Sequence, residues 1–148
     1  MTNTVQISLT TVPLAEADAA LAAGIAHGAA LGLPFTITVV DGGSFPVALA
    51  RMDGAALASI ETSESKARTA LLFAAPTNDL AAAVQPGAPL YSIATATRSP
   101  LAFVPGGVPL LDSAGRVVGA VGAGGGTPDQ DHEVAAAAAA VVRIATLS

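Results

Sequence analysis

Apolar positions recur along this chain in two rhythms, and the changes of rhythm mark its elements. Val5, Ile7 and Leu9 alternate with polar neighbours, the period-two pattern of a short strand or extended segment. Thr11 and Pro13 then open a helical stretch from Leu14 to about Leu31, with Leu14, Leu21 and Ile25 on one face, and Gly32 and Pro34 end it. Phe35 to Val40 reads as a strand, Asp41-Gly-Gly-Ser44 as a hairpin turn and Phe45 to Arg51 as the partner strand. Strands joined so tightly must run antiparallel. Ala55 to Ala74 returns to helix in one or two pieces, with Pro76 as a stop. Thr77 then caps a short helix to about Val84.

Pro86 to Pro100 shows no rhythm and reads as a loop over a site or an interface. Leu101 to Val104, Val108 to Asp112 and Val117 to Ala123 read as strands, the last two joined by a turn at Ser113-Ala114-Gly115. Thr127-Pro-Asp-Gln130 forms a capping box with proline at the first helical position, opening a last helix to about Ala145. The expected fold is α+β: an antiparallel sheet of about five strands with helices packed on it, as a single domain over residues 1–148.

Composition changes this picture in one respect. Hydrophobic residues make up 52% of the 148 and charged residues only 11%, against about 25% charged in an average soluble chain. A monomer of this size has too few charges to coat its surface, so a homo-oligomer is expected, larger than a dimer. The net charge of −5 and the lack of a basic stripe argue against nucleic acid. With no cysteine there is no thiolate nucleophile and no Cys-based metal site. The first residues lack a signal-peptide pattern, and the alanine run before Arg143 is too short to span a bilayer, so a cytoplasmic protein without membrane partners is expected.

The run from Pro105 to Asp131 carries the densest chemical signal. It reads as strand, turn, strand and then a glycine ramp, Gly119 to Gly126, into a helix start. Glycines let backbone approach a ligand closely, and a helix start offers unpaired N–H groups. The opposing reading is a crowded crossing where only glycine fits. Dinucleotide and P-loop fingerprints both fail: Thr127 stands where a third glycine is needed, and no Gly-Lys-Ser/Thr follows. Lys66, Asp131 and His132 are the candidate proton-moving residues. Arg51, Arg98, Gly106, Gly107, Gly124, Gly125, Gly126 and His27 are candidates for holding a ligand. Internal salt bridges of Arg51 or Lys66 with Asp41, Asp53 or Glu64 are the competing explanation, as a solvated surface is for both histidines. Glu61 and Glu64 share a helical face that suits a hard cation or simply water; no metal site is expected.

Three stretches taken together, Val39 to Gly54, Lys66-Ala-Arg-Thr-Ala70 and Gly106 to Asp131, resemble the GlcG/HbpS-like family, which includes the carboxy-terminal domain of PduO-type proteins. The resemblance implies an α/β sandwich related to the profilin-like fold, assembling as dimers and often as larger rings or octamers. It also implies a small-molecule ligand, with haem or a related tetrapyrrole as the only cofactor class. A cofactor-independent isomerase, hydratase or hydrolase acting on a small carboxylate is the alternative, and a non-catalytic accessory protein is the third.

Overall fold

The computed structural model describes residues 12–146; the alternating segment at Val5 to Leu9 lies outside them. One hairpin joins β1 (Thr36–Asp41) to β2 (Pro46–Arg51), and a second joins β3 (Gly107–Leu111) to β4 (Val117–Gly124). The hairpins meet through β1 and β4, which pair antiparallel from Thr36 opposite Gly124 to Asp41 opposite Gly119. The strand order is β2-β1-β4-β3. The described residues also form four α-helices: α1 (Leu14–Leu31), α2 (Ala58–Phe73), α3 (Thr77–Leu80) and α4 (Pro128–Ala140). The architecture is α+β.

Alternation along the strands gives the two faces of the sheet different chemistry. Ile37 and Val39 of β1, with Val121 and Ala123 of β4, pack against Ala17 and Ala20 of α1 and Val134, Ala135 and Ala138 of α4. Thr36, Thr38, Val40 and Ala120 face the other way, toward α2. There Thr36 Oγ1 meets Ser59 Oγ at 2.7 Å and Thr38 Oγ1 meets Ser63 Oγ at 2.8 Å. One layer is apolar; the other sets these hydroxyl pairs beside a smaller apolar cluster of Val40, Val117, Ala120 and Leu71.

Four expectations need correction. Among the described residues the sheet has four strands rather than about five, because Leu101 to Val104 pairs with no strand. Its backbone is satisfied by side chains instead: the Ala102 N–H donates to Thr69 Oγ1, and the Val104 carbonyl accepts from the Thr77 hydroxyl. Thr77 therefore is not a cap. Pro76 occupies that position, and Thr77 Oγ1 also accepts the Gly107 N–H at 2.9 Å. In α1 the buried stripe is Ala17, Ala20, Gly24 and Gly28, while Leu14 is 60% exposed. Small residues face the sheet because α1 lies close to it: a Cβ on Gly24 would sit 2.6 Å from Ile37 Cδ1. Finally, α4 ends at Ala140 rather than Ala145, since Ile144 is drawn beside Asp112 in a parallel bridge.

The closest approach lies between α2 and β4. A Cβ on Gly122 would overlap the Ser63 carbonyl and the Ala67 amide of α2. Both are helix backbone and neither can yield by a rotamer change. Gly122→Ala is therefore expected to cost about 3 kcal/mol, the upper part of the overpacking range, read as a lower urea midpoint at an unchanged slope.

Candidate functional site

The glycine ramp leads into α4 through a completed capping box. Thr127 Oγ1 accepts the Gln130 N–H at 3.3 Å, and Gln130 Oε1 accepts the Thr127 N–H at 2.9 Å. This first turn is thereby fixed, and it aims Asp131 back at the crossing it has just left. Asp131 Oδ1 accepts the Gly126 N–H at 2.9 Å, and Oδ2 accepts from Lys66 Nζ of α2 at 2.6 Å. Lys66 Nζ also donates to the Ala123 carbonyl at 3.3 Å. The two side chains retain only 6% and 5% of their accessible surface. Gly106, with φ of +132°, lets the chain pass beneath them: a Cβ there would sit 2.9 Å from both Asp131 Cβ and Lys66 Cδ.

Burial pushes the Asp131 carboxyl above its ordinary value, against the opposing pull of the Lys66 ammonium and the Gly126 N–H. The pair is thus held together at a desolvation cost. It is not sealed in a dry core. Lys66, Asp131, Gly125, Gly126, Ser59 and Thr62 line a cleft of about 350 Å³, walled by Ala56, Ala58, Ala102 and Val104. A second cleft of about 480 Å³ shares Thr62 and Ala102 and runs past Glu64, Arg68 and Pro100. A third, of about 510 Å³, shares Glu64 and Arg68 and reaches Phe45 and Arg98. Together they form a groove along α2.

The structure thus gathers part of the predicted set. Lys66, Asp131, Gly106, Gly125 and Gly126 share one place; Gly107 and Gly124 pack beneath α2 beside it. The crowded-crossing reading of the glycine ramp describes Gly122, which serves close packing, while Gly125 and Gly126 line the cleft. The Gly126 N–H is spent on Asp131. Lys66 does form an internal salt bridge, but with Asp131 rather than Asp41, Asp53 or Glu64. Glu64 pairs with Arg68 at 2.9 Å. Arg51 and Arg98 are exposed and apart, Arg51 ending β2 and Arg98 at the far end of the groove. His27 lies on α1 with Nε2 3.3 Å from Glu133 Oε2 of α4. His132 is half-buried beside Asp131, and its Nδ1 has no hydrogen-bond partner among the described residues. No group of three His, Asp or Glu side chains among the described residues is placed to hold a metal ion.

The Lys66–Asp131 pairing was open to a simpler signal than spacing. The six cationic side chains are Arg51, Arg68, Arg98, Arg116, Arg143 and Lys66. The chain holds one lysine, and it is this one.

Comparison with known proteins is consistent across the whole described fold. A family model described as "Haem degrading protein HbpS-like" matches residues 12–140. The chain belongs to the HbpS-like family. Among solved structures of similar fold is Klebsiella pneumoniae ORFY, with a TM-score of 0.85, 31% identity and 95% of each chain covered. A PduOC–haem complex matches with a TM-score of 0.84 and 28% identity, over 90% of this chain and 96% of that one. The corrinoid adenosyltransferase PduO of Citrobacter freundii is 32% identical over 84% of this chain, which spans only 37% of that protein's length. Among the described residues, no helix of this HbpS-like chain is long and apolar enough to cross a membrane.

Removing one member of a buried ion pair strands the other. Lys66→Met is expected to cost about 3–5 kcal/mol, and Lys66→Met with Asp131→Leu distinctly less, by urea denaturation. Asp131 also gives a pH signature. Its folded pKa is raised, so the fold holds the proton more tightly than the unfolded chain does. That stabilisation is full below the unfolded value and is lost as pH rises through the folded one. Relative to the wild type, Asp131→Asn is therefore expected to gain stability as pH rises through that window.

Proposed function

We propose that this chain is a small-ligand-binding protein whose ligand is haem or a related tetrapyrrole. The observation that carries the reading is the likeness, at a TM-score of 0.84, to a PduOC structure that contains haem. Two features of the present structure support it. His27 is the more accessible histidine, its side chain 37% exposed, and Glu133 holds one ring nitrogen while leaving the other uncommitted among the described residues. A carboxylate in that position orients an imidazole and raises its basicity toward iron. Near His27, α1 exposes the small apolar side chains of Ala26 and Ala30, neighbours that leave room for a planar macrocycle and offer it apolar contact.

Bound haem would supply an iron centre; the protein's part is to present His27, keep its ring in place and shield one macrocycle face. His132 is the second candidate ligand, less suited because its Nδ1 is buried. Self-assembly, up to an octamer, belongs to the same proposal. Leu57 and Phe45 leave 75% and 70% of their surface to solvent in a chain with few surface charges, so a second copy would bury apolar area that a lone chain exposes.

The test is a haem titration followed at the Soret band. A saturable, stoichiometric shift is expected for the wild type and for His132→Ala, and its loss for His27→Ala. Absence of any saturable shift in the wild type sinks the haem reading. Loss in His132→Ala alone moves the ligand to that residue.

A further inference from the structure

The only lysine of the chain is buried against Asp131 at the wall of an open cleft, and this combination has no use in the haem reading. Every other cation is arginine. Arginine stays charged, whereas lysine also offers an amine once it loses a proton, so the two are not interchangeable at a reactive position. A purely structural clamp between α2 and α4 has no need of the cleft. Nor does it use all of the ammonium: two of the three N–H bonds go to Asp131 Oδ2 and the Ala123 carbonyl, and the third has no partner among the described residues.

We propose that Lys66 is the reactive amine of a second site, one that takes a small aliphatic aldehyde or ketone as an imine. Asp131 is placed to receive the Lys66 proton at 2.6 Å. Its raised proton affinity favours that transfer, and the neighbouring Gly126 N–H keeps the carboxyl in position. The freed amine adds to the carbonyl carbon, forming the C–N bond. The carbonyl oxygen then leaves as water, taking two of the three original ammonium hydrogens by way of Asp131. Ammonium and carbonyl compound go in; iminium and water come out, with charge balanced and no oxidant or reductant involved. Ala56, Ala58, Ala102 and Val104 give the cleft the short apolar walls that an aliphatic chain would meet. The site does not use His27 and stands whether or not haem binds.

A single lysine in the 148 residues makes the test direct, with the amino-terminal amine as an internal reference. The protein is treated with butanal or butanone and sodium cyanoborohydride near neutral pH, and adducts are located by peptide mass spectrometry. An α-amine has the lower ordinary pKa and should react first if Lys66 is unactivated. The expected result is the reverse: Lys66 is alkylated faster than the amino terminus, roughly tenfold, as for a lysine activated by its surroundings. That excess is lost in Lys66→Arg, which keeps the charge, and is slowed in Asp131→Asn. Modification confined to the amino terminus by both probes, in wild-type protein folded by circular dichroism, overturns the proposal. The wild-type ratio alone decides the matter should either variant fail to fold.

Discussion

The fold depends on how closely one helix backbone can lie on the sheet. Over Gly122 the nearest atoms are the Ser63 carbonyl and Ala67 amide of α2, and over Gly107 the Lys66 carbonyl. Two kinds of contact hold this layer. Val40, Val117 and Ala120 pack against Ala67, Ala70 and Leu71 of α2, and Ser59 and Ser63 each meet a β1 threonine while bonding to a carbonyl three residues earlier. The opposite face carries most of the hydrophobic stabilisation, through Phe35, Ile37, Val121 and the inner residues of α1 and α4. The sandwich is therefore asymmetric: one side is wholly apolar, and the other combines a smaller apolar cluster with buried hydroxyl pairs.

The position of Lys66 follows from the close approach of α2. A helix held farther from β4 would carry its lysine out toward water, where a pair with aspartate is worth little. Held this close, the side chain runs past Gly106 to the end of β4, where the capping box of α4 presents Asp131. Three separate local features thus converge on one pair. The desolvation that this pair incurs, and the cleft it borders, come from the same close packing.

Much of this was legible in the chain. Hairpin signals at Asp41 to Ser44 and Ser113 to Gly115, and the Thr127–Gln130 box, describe short-range physics that tertiary context leaves intact. The failures came where distant partners decide. Leu101 to Val104 has strand-forming residues, yet Thr69 and Thr77, both remote in sequence, take its backbone groups. On α1, Leu21 and Ile25 pack at the margin of the core as expected and Leu14 does not, while proximity to the sheet selects alanine and glycine for the innermost stripe. At the candidate site, residue types in the glycine ramp pointed to the strand-to-helix crossing where Lys66 meets Asp131. The pairing of Lys66 with a residue 65 positions away did not follow from any local spacing.

Among the described residues, the strand order leaves β2 and β3 as the two outer edges of the sheet. Each carries a proline, Pro46 in one and Pro109 in the other, and beyond the end of β3 the chain folds Ile144 against Asp112. A proline removes one amide donor from the row that a foreign strand would need. Extension of the sheet from molecule to molecule is thus interrupted at both margins. A chain so rich in alanine and valine keeps its sticky backbone to itself, and leaves the outer surfaces of its helices as the ground on which neighbours can meet.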